Sequence, residues 1–178
     1  MHSTFGGCGY VGQQVACHEI ADGGDVCALV RTVDSVAQLA DLGITSRQVD
    51  FDQDVPVLAL QLTDQVLYWF VPPPSHGDQD QRLARALAAI EPGALPRRIV
   101  LVSTTGVYGD CQGEWVNETR PLNPQTARGR RRAHAEQLAR RGLAYASGRP
   151  SLQAGLWELV AQAREQQIRD GSFGSPAR

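Results

Sequence analysis

The chain has 178 residues, about the length of one domain, and its composition of 42% hydrophobic and 20% charged residues is typical of a globular protein. A formal net charge of −2 argues against a dedicated binder of polyanions, so we expect no nucleic-acid partner. All 17 basic residues are arginine. The absence of lysine excludes Schiff-base chemistry and a phosphate-loop lysine from this chain.

The sequence carries no signal for a membrane, for export or for a metal ion. No apolar run approaches the roughly 20 residues of a membrane span, and residues 1–5 lack the regions of a signal peptide. The four cysteines show no C-x-x-C spacing, which favours a reduced, cytoplasmic compartment. His18 has Asp22 rather than a second histidine four residues later, so we predict no metal site.

Short apolar runs alternate with longer amphipathic segments along the chain. Buried strands are predicted over residues 26–30, 66–71 and 99–102, with a weaker strand near 47–50. Helices are predicted over residues 10–21, 33–42, 79–90 and 125–140, the last ending at Gly142. Because this alternation is typical of βαβ units, it predicts an α/β fold with a Rossmann-type, doubly wound parallel sheet.

Both ends of the chain depart from this pattern. Only five residues precede Gly6, and of these just Met1 and Phe5 are large and apolar, which makes a weak first strand. Residues 142–146 begin like a strand, and the polar sequence after them predicts one helix near 151–169 and a disordered end. We therefore expect a nucleotide-binding Rossmann domain over residues 1–146 and an atypical tail over 147–178.

The first glycines form a recognisable loop. Residues 6–12, GGCGYVG, satisfy both G-x-G-x-x-G and G-x-x-G-x-x-G. Glycines allow backbone conformations closed to other residues and let a pyrophosphate approach the main chain, where the next helix offers free N–H groups. A glycine-rich turn without function is the alternative. The candidate cofactor-binding residues of this loop are Gly6, Gly7, Gly9, Tyr10, Val11 and Gly12.

Two further residues bear on the cofactor. Arg31 follows a predicted strand about 20 residues after the glycines, where an NAD-selective site carries an acid. An arginine there would meet a 2′-phosphate, so the sequence favours NADP over NAD; a solvated arginine is the alternative. Asp50, after the third strand, could contact the adenine edge, and a surface turn residue is the alternative.

With residues 103–109, STTGVYG, at the end of a central strand, the chain resembles the extended short-chain dehydrogenase/reductase family of NAD(P)-dependent sugar-nucleotide epimerases and dehydratases. Residues 121–124, PLNP, before an arginine-rich helix also resemble this family. The resemblance covers about residues 6–146. It implies a nicotinamide cofactor, a small-molecule substrate that the sequence does not name, and a homodimer formed through the helices after the fourth and fifth strands.

In that family a Ser or Thr, a Tyr and a Lys form the catalytic set. Thr104 matches the hydroxyl position, and counting back eight and four residues from Glu136 gives Arg128 and Arg132 in place of Tyr and Lys. Arg128 cannot donate a proton, whereas Arg132 could keep a positive charge beside the nicotinamide ribose. The resemblance thus implies an atypical member whose candidate catalytic residues are Thr104 and Arg132, with Tyr108 as a less favoured substitute acid.

The arginines of residues 128–132 cannot all point one way on a helix. Arg128 and Arg132 are four residues apart and share a face, while Arg130 and Arg131 diverge from it. We expect the first pair at the cofactor and the other two in solvent.

The sequence leaves three functional hypotheses. The favoured one is an NADP-binding oxidoreductase or epimerase-like protein; the others are a non-catalytic dinucleotide sensor and an inactive fragment. From Ser147 onward nothing resembles the C-terminal portion with which family members build the substrate pocket. A truncated gene model or a frame change would explain this, so we expect that portion to be missing or altered.

Overall fold

A computed structural model describes residues 2–53 and 59–147 of the chain. The predicted domain over residues 1–146 falls mainly within this part. The predicted tail over residues 147–178, with its helix near 151–169, lies outside the described residues except for Ser147.

Strands and helices alternate as the sequence predicts. The strands are β1 (His2–Gly6), β2 (Asp25–Val30), β3 (Thr45–Gln48), β4 (Val66–Trp69) and β5 (Arg98–Leu101). The helices are α1 (Tyr10–Ala21), α2 (Val33–Asp41), α3 (Gln81–Ala88) and α4 (Ala127–Ser147), with a short 3-10 helix over Thr105–Tyr108. All five strands are parallel and lie in the order β3-β2-β1-β4-β5. This confirms the Rossmann-type α/β fold.

The strand order places a ligand crevice beside β1. The chain runs from β1 to β2 and β3 on one side, then crosses back to β4 and β5 on the other. In open parallel sheets such a reversal separates the loops at the carboxyl ends of neighbouring strands and leaves a crevice between them. The glycine loop of residues 6–12 stands at that point, because it directly follows the central strand.

The weak sequence of β1 forms the central strand of the sheet. It pairs with β2 on one side and with β4 on the other. Phe5 is fully buried and stacks on Tyr68 of β4, with 4.6 Å between the ring centroids. Two pairing partners and one aromatic stack therefore compensate for the shortness of its apolar run.

The buried polar side chains of β1 all have partners. Ser3 donates a hydrogen bond of 3.0 Å to Glu19, and Thr4 donates one of 2.7 Å to Gln65. Tyr68 donates to the other carboxylate oxygen of Glu19 at 2.7 Å. Burying a hydroxyl is costly only when it lacks a hydrogen bond, so these residues are tolerated inside the sheet.

The observed limits of helix α2, Val33–Asp41, nearly match the predicted range 33–42, and local interactions explain both ends. Thr32 caps its start by accepting a hydrogen bond of 3.2 Å from the backbone N–H of Ser35. Gly43 follows its C-terminal cap with a φ of +71°, a conformation that glycine adopts without steric cost. Local chemistry at both ends determines this helix.

The C-terminal end of α4 corrects one prediction. The helix continues through residues 142–146 to Ser147, so it does not end at Gly142 and no strand begins there. Residues 143–146 are Leu, Ala, Tyr and Ala, and leucine and alanine favour helix. A helix also satisfies its own backbone groups, whereas a strand needs a neighbour to pair with.

Among the described helices, none combines the length and the hydrophobicity that a membrane-spanning helix requires.

Replacing Gly6 by alanine should destabilise the sheet. A Cβ at this position would overlap the six-membered ring of Trp69, which is fully buried on the neighbouring strand. We expect a loss of about 1–3 kcal/mol in the free energy of unfolding, measured by urea denaturation followed by circular dichroism. Gly106→Ala is the matched control, because the nearest atom to its Cβ would be 3.7 Å away. Equal stability of the two variants would contradict this packing role.

Candidate functional site

A cleft of about 330 Å³ lies at the carboxyl ends of β1 and β2. The glycine loop forms one wall, and the segments after β2, β3 and β4 form the others. The predicted site residues that line it are Gly7, Gly9, Arg31 and Asp50. Sequence reasoning did not anticipate Asp52, Pro72 and Arg82, which also line it.

The glycines of the loop serve different purposes. Gly7 has a φ of +76° and donates its N–H to the carbonyl of Leu29 at 2.9 Å. A Cβ on Gly12 would lie 3.2 Å from the carbonyl oxygen of Gly7, so α1 packs closely on the loop. A Cβ on Gly9 would meet nothing within 4 Å. Open space therefore lies in front of Gly9, and a ligand can approach the backbone there.

The first turn of α1 is suited to an anion. Gly9 is the N-cap, no side chain caps the helix, and the first turn contains no acidic residue. The first backbone N–H groups of a helix lack partners within it, and the helix dipole adds partial positive charge. Tyr10 and Val11 are 80% and 57% exposed and so leave this turn uncovered. The loop and helix together fit the diphosphate of a dinucleotide.

Arg31 and Asp50 both line the cleft, and each contacts Asp52. The Arg31 side chain is 65% exposed, and its guanidinium lies 3.8 Å from the carboxylate of Asp52. Asp50 accepts a 2.9 Å hydrogen bond from the backbone N–H of Asp52 and a longer one from Gln53. Asp50 therefore shapes a turn, as the alternative held, while it also lines the cleft.

An ion pair that the sequence did not reveal, between Arg82 and the partly exposed Asp52, joins two walls of the cleft. Arg82 of α3 donates two hydrogen bonds of 2.6 Å to the carboxylate of Asp52, and a third of 2.9 Å to the carbonyl of Pro72. The hydrogen bonds from Arg82 hold the pKa of Asp52 below its ordinary value. The two residues are 30 positions apart, so no local pattern connects them.

Thr104 lies at the carboxyl end of β5 and outside the lining of the cleft. Its hydroxyl oxygen accepts a 3.3 Å hydrogen bond from the backbone N–H of Gly106 and so caps the 3-10 helix. A Cβ on Gly129 would lie 2.8 Å from the carbonyl oxygen of Gly106, which brings the first turn of α4 against the 3-10 helix. The hydroxyl hydrogen of Thr104 is left to donate.

Arg132 lies one turn further along α4, half-buried beside the start of α3. Its Nη1 is buried without a hydrogen-bond partner among the described residues. Asp80 is fully buried; one oxygen caps α3 by accepting the N–H of Leu83 at 3.1 Å, and the other has no hydrogen-bond partner in the described part of the chain. Burial lowers the pKa of Arg132, and the nearby charge of Asp80 opposes this. The backbone N–H of Asp80 also donates to His134 at 3.0 Å.

The arginine run of α4 corrects a second prediction. Arg131, expected in solvent, is only 9% exposed and donates a 2.6 Å hydrogen bond to the carbonyl of Gly77. Arg130 pairs with Asp78 at 2.9 Å near the surface, and Arg128 is exposed. The buried face of α4 includes residues 131, 135 and 139, at a spacing of four. Two small alanines at 135 and 139 are the signal that could have identified this face.

Tyr108 is placed for packing. It is buried beside Val107 and Ala133 and does not line the cleft. Burial, followed by the nearby charge of Glu136, raises its pKa. Among the described residues, no group of three His, Cys, Asp or Glu side chains could hold a metal ion.

Cys8 should be the least reactive thiol of the glycine-loop region. Burial, together with the neighbouring Cys17, raises the pKa of Cys8 to about 11, and its side chain is almost inaccessible. At pH 8 only about one thiol in a thousand would be ionised. We expect iodoacetamide to modify the exposed Cys17 first, as measured by peptide mass spectrometry, and the denatured chain should label at both. Equal labelling in the folded protein would contradict the buried position of Cys8.

Removing Asp80 should destabilise the packing of α3 on α4. Asp80→Ala deletes a helix cap and leaves the half-buried Arg132 without its opposing charge, which we expect to cost about 2–4 kcal/mol. Urea unfolding measures this loss. Asp34→Ala is the control, since Asp34 is an exposed acid in the first turn of α2 and should contribute under about 1 kcal/mol. Similar losses in both variants would argue against the coupling of Asp80 and Arg132.

Known proteins resemble the chain in sequence and in fold. Residues 6–152 match the family described as NAD(P)H-binding. A conserved protein of unknown function from Silicibacter pomeroyi DSS is 31% identical, with a TM-score of 0.56 over 79% of this chain and 48% of that one. A candidate NAD-dependent epimerase/dehydratase from Methylobacillus flagellatus is 26% identical, with a TM-score of 0.59 over 77% of this chain and 49% of that one.

A more distant structure shares the fold alone. The UDP-glucuronic acid 4-epimerase of Bacillus cereus, in complex with UDP-glucuronic acid and NAD, is 17% identical, with a TM-score of 0.56 over 78% of this chain and 51% of that one. None of the curated proteins matches the chain.

The chain spans about half the length of these solved structures. Its match to the family begins at the glycine loop and includes every element from α1 to α4. The fold, the open backbone at Gly9 and the sequence match agree on a nicotinamide dinucleotide as the cofactor. The chain belongs to the NAD(P)H-binding family, with a Rossmann fold like that of the NAD-dependent epimerases and dehydratases of the extended short-chain dehydrogenase/reductase group.

Proposed function

We propose that the chain binds NADP(H) in preference to NAD(H) and serves an oxidoreductase or epimerase/dehydratase-like reaction on a small molecule. The position of Arg31 carries the cofactor preference. It follows β2, where a carboxylate would hydrogen-bond the ribose of NAD, and it lines the same cleft as Gly7 and Gly9. A guanidinium there provides paired donors for a 2′-phosphate.

The diphosphate would lie against the loop and the start of α1. Gly9 leaves room for it, while the uncovered N–H groups of the first turn donate to its oxygens. The adenine would extend toward Asp50, which also lines the cleft. The bound nicotinamide would supply or accept a hydride, and the protein would orient it.

Thr104 and Arg132 are the proposed catalytic residues. Thr104 lies three residues after β5, a strand on the far side of β4 from β1, and its hydroxyl hydrogen is available to polarise a substrate oxygen. Arg132 occupies the lysine position of the family pattern, and its half-buried charge would hold the nicotinamide ribose. Arg128, in the tyrosine position, is exposed and supplies no proton.

A second function, a non-catalytic dinucleotide sensor, is favoured by one observation. No tyrosine stands at the family position for proton exchange, and Tyr108 is packed in a small apolar cluster. Such a protein would bind NADP(H) and transmit its occupancy to a partner.

Titration with the four nicotinamide cofactors separates the candidates. Fluorescence titration gives the affinity, and transfer of a deuterium label between bound cofactor and added carbonyl compounds reports hydride exchange. Binding with exchange supports the enzyme, binding without exchange supports the sensor, and no binding supports an inactive fragment. The proposal includes a homodimer, which rests on the family resemblance, and a reduced cytoplasmic setting, which rests on the four free cysteines.

Arg31→Ala should weaken NADPH binding selectively. Loss of a charged hydrogen-bonding pair with the 2′-phosphate is worth roughly 1.5–3 kcal/mol, or about 10- to 100-fold in Kd, while the Kd of NADH should change little. Arg47→Ala is the matched control, because Arg47 is an exposed arginine on the adjacent strand β3 and does not line the cleft. An equal loss for both cofactors would reject the 2′-phosphate assignment.

A further inference from the structure

Arg31 shares its side of the cleft with two other charged side chains. Its guanidinium lies 3.8 Å from Asp52, and Asp52 is held by two 2.6 Å hydrogen bonds from Arg82. We call Arg31, Asp52 and Arg82 the charged triad. All three line the cleft that contains the glycine loop.

Two members of the charged triad are fixed and one is free to move. The Arg82 side chain is only 18% exposed, and it also donates to the carbonyl of Pro72. Asp50 accepts a hydrogen bond from the backbone N–H of Asp52, and Arg82 donates to its carboxylate. Both the main chain and the side chain of Asp52 are therefore held in place. Arg31 is 65% exposed, and among the described residues the only polar contact of its side chain is the long one to Asp52. Any ligand that attracts Arg31 therefore competes with a fixed carboxylate.

The carboxylate of Asp52 carries a full negative charge at neutral pH. The hydrogen bonds from Arg82, opposed by some burial, leave its pKa below the ordinary value. The charged triad then has a net charge of +1 rather than the +2 of two free arginines. A 2′-phosphate with nearly two negative charges would meet this anion as well as the arginines.

We propose that Asp52 is a specificity-determining residue, which lowers the preference for a 2′-phosphate by sharing Arg31 and supplies an acceptor for the ribose hydroxyls of NAD. This inference rests on the proposed 2′-phosphate site at Arg31. NAD-selective sites carry their acid at the end of the second strand. In this chain Arg31 occupies the position after the second strand, and the acid, Asp52, comes from the segment after β3 instead. Each oxygen of Asp52 uses one lone pair on Arg82, so another remains to accept from a hydroxyl.

Asp52→Asn tests the proposal without changing the size of the side chain. We expect NADPH to bind about tenfold more tightly and NADH more weakly. The ratio of the Kd of NADH to the Kd of NADPH should therefore rise at least about tenfold. The rise should shrink as salt screens the partly exposed charges. An unchanged or reversed ratio would overturn the assignment of selectivity to Asp52.

Two further variants separate this effect from a general loss of structure. Arg82→Met leaves Asp52 charged and without its hydrogen-bonded partner, so the preference should shift toward NADH, opposite to the effect of Asp52→Asn. Asp78→Asn is the control: it removes the carboxylate that pairs with Arg130, and neither residue lines the cleft. It should leave the ratio unchanged. A shift of the same sign in all three variants would overturn the proposal, and urea midpoints show whether each variant is folded.

Arg31→Ala distinguishes failure of this inference from failure of the proposed function. If Arg31→Ala loses NADPH selectively while Asp52→Asn leaves the ratio unchanged, only the inference on Asp52 is wrong. If Arg31→Ala weakens both cofactors equally, or if the chain binds neither, the proposed site itself is wrong. In the Arg31→Ala/Asp52→Asn double variant, Asp52→Asn should strengthen NADPH binding less than it does when Arg31 is present, because the part of its effect that acts through Arg31 is lost.

Discussion

The close approach of backbone to backbone at the carboxyl end of β1 is the constraint on which the site depends. Gly7 turns the chain with a positive φ, and Gly12 allows the first turn of α1 to pack against that turn. Side chains at these positions would separate the helix from the sheet. Because the helix start is held there uncovered, its N–H groups lie next to the open backbone at Gly9, which lines the cleft at the carboxyl ends of β1 and β2.

A chain without lysine uses guanidinium groups wherever a cation is needed. Arg82 joins two loops because one planar group can donate to a carboxylate and to a carbonyl at once. Arg131 connects α4 to the segment before α3 through the carbonyl of Gly77. Several arginines that resemble a surface patch in the sequence therefore serve as connections between elements.

The elements were predictable wherever local chemistry decides them. Thr32 caps the start of α2 and Gly43 follows its C-terminal cap, and the buried runs of β2, β4 and β5 are apolar enough to be recognised. The first strand looked weak because Ser3 and Thr4 are polar, and only their distant partners Glu19 and Gln65 make their burial acceptable. The end of α4 was predicted wrongly, since the choice between helix and strand depends on whether a pairing neighbour exists.

The sequence by itself determined the α/β alternation, the glycine loop and the position of Arg31 after the second strand, because each depends on short spacings and on backbone geometry. Only the tertiary structure decided which charges share the cleft. Asp52 and Arg82 come from segments 30 residues apart, and Asp80 meets Arg132 only because α3 packs on α4. Electrostatic partners are set by distance in space, and a parallel sheet with crossover helices brings together residues that the chain keeps far apart.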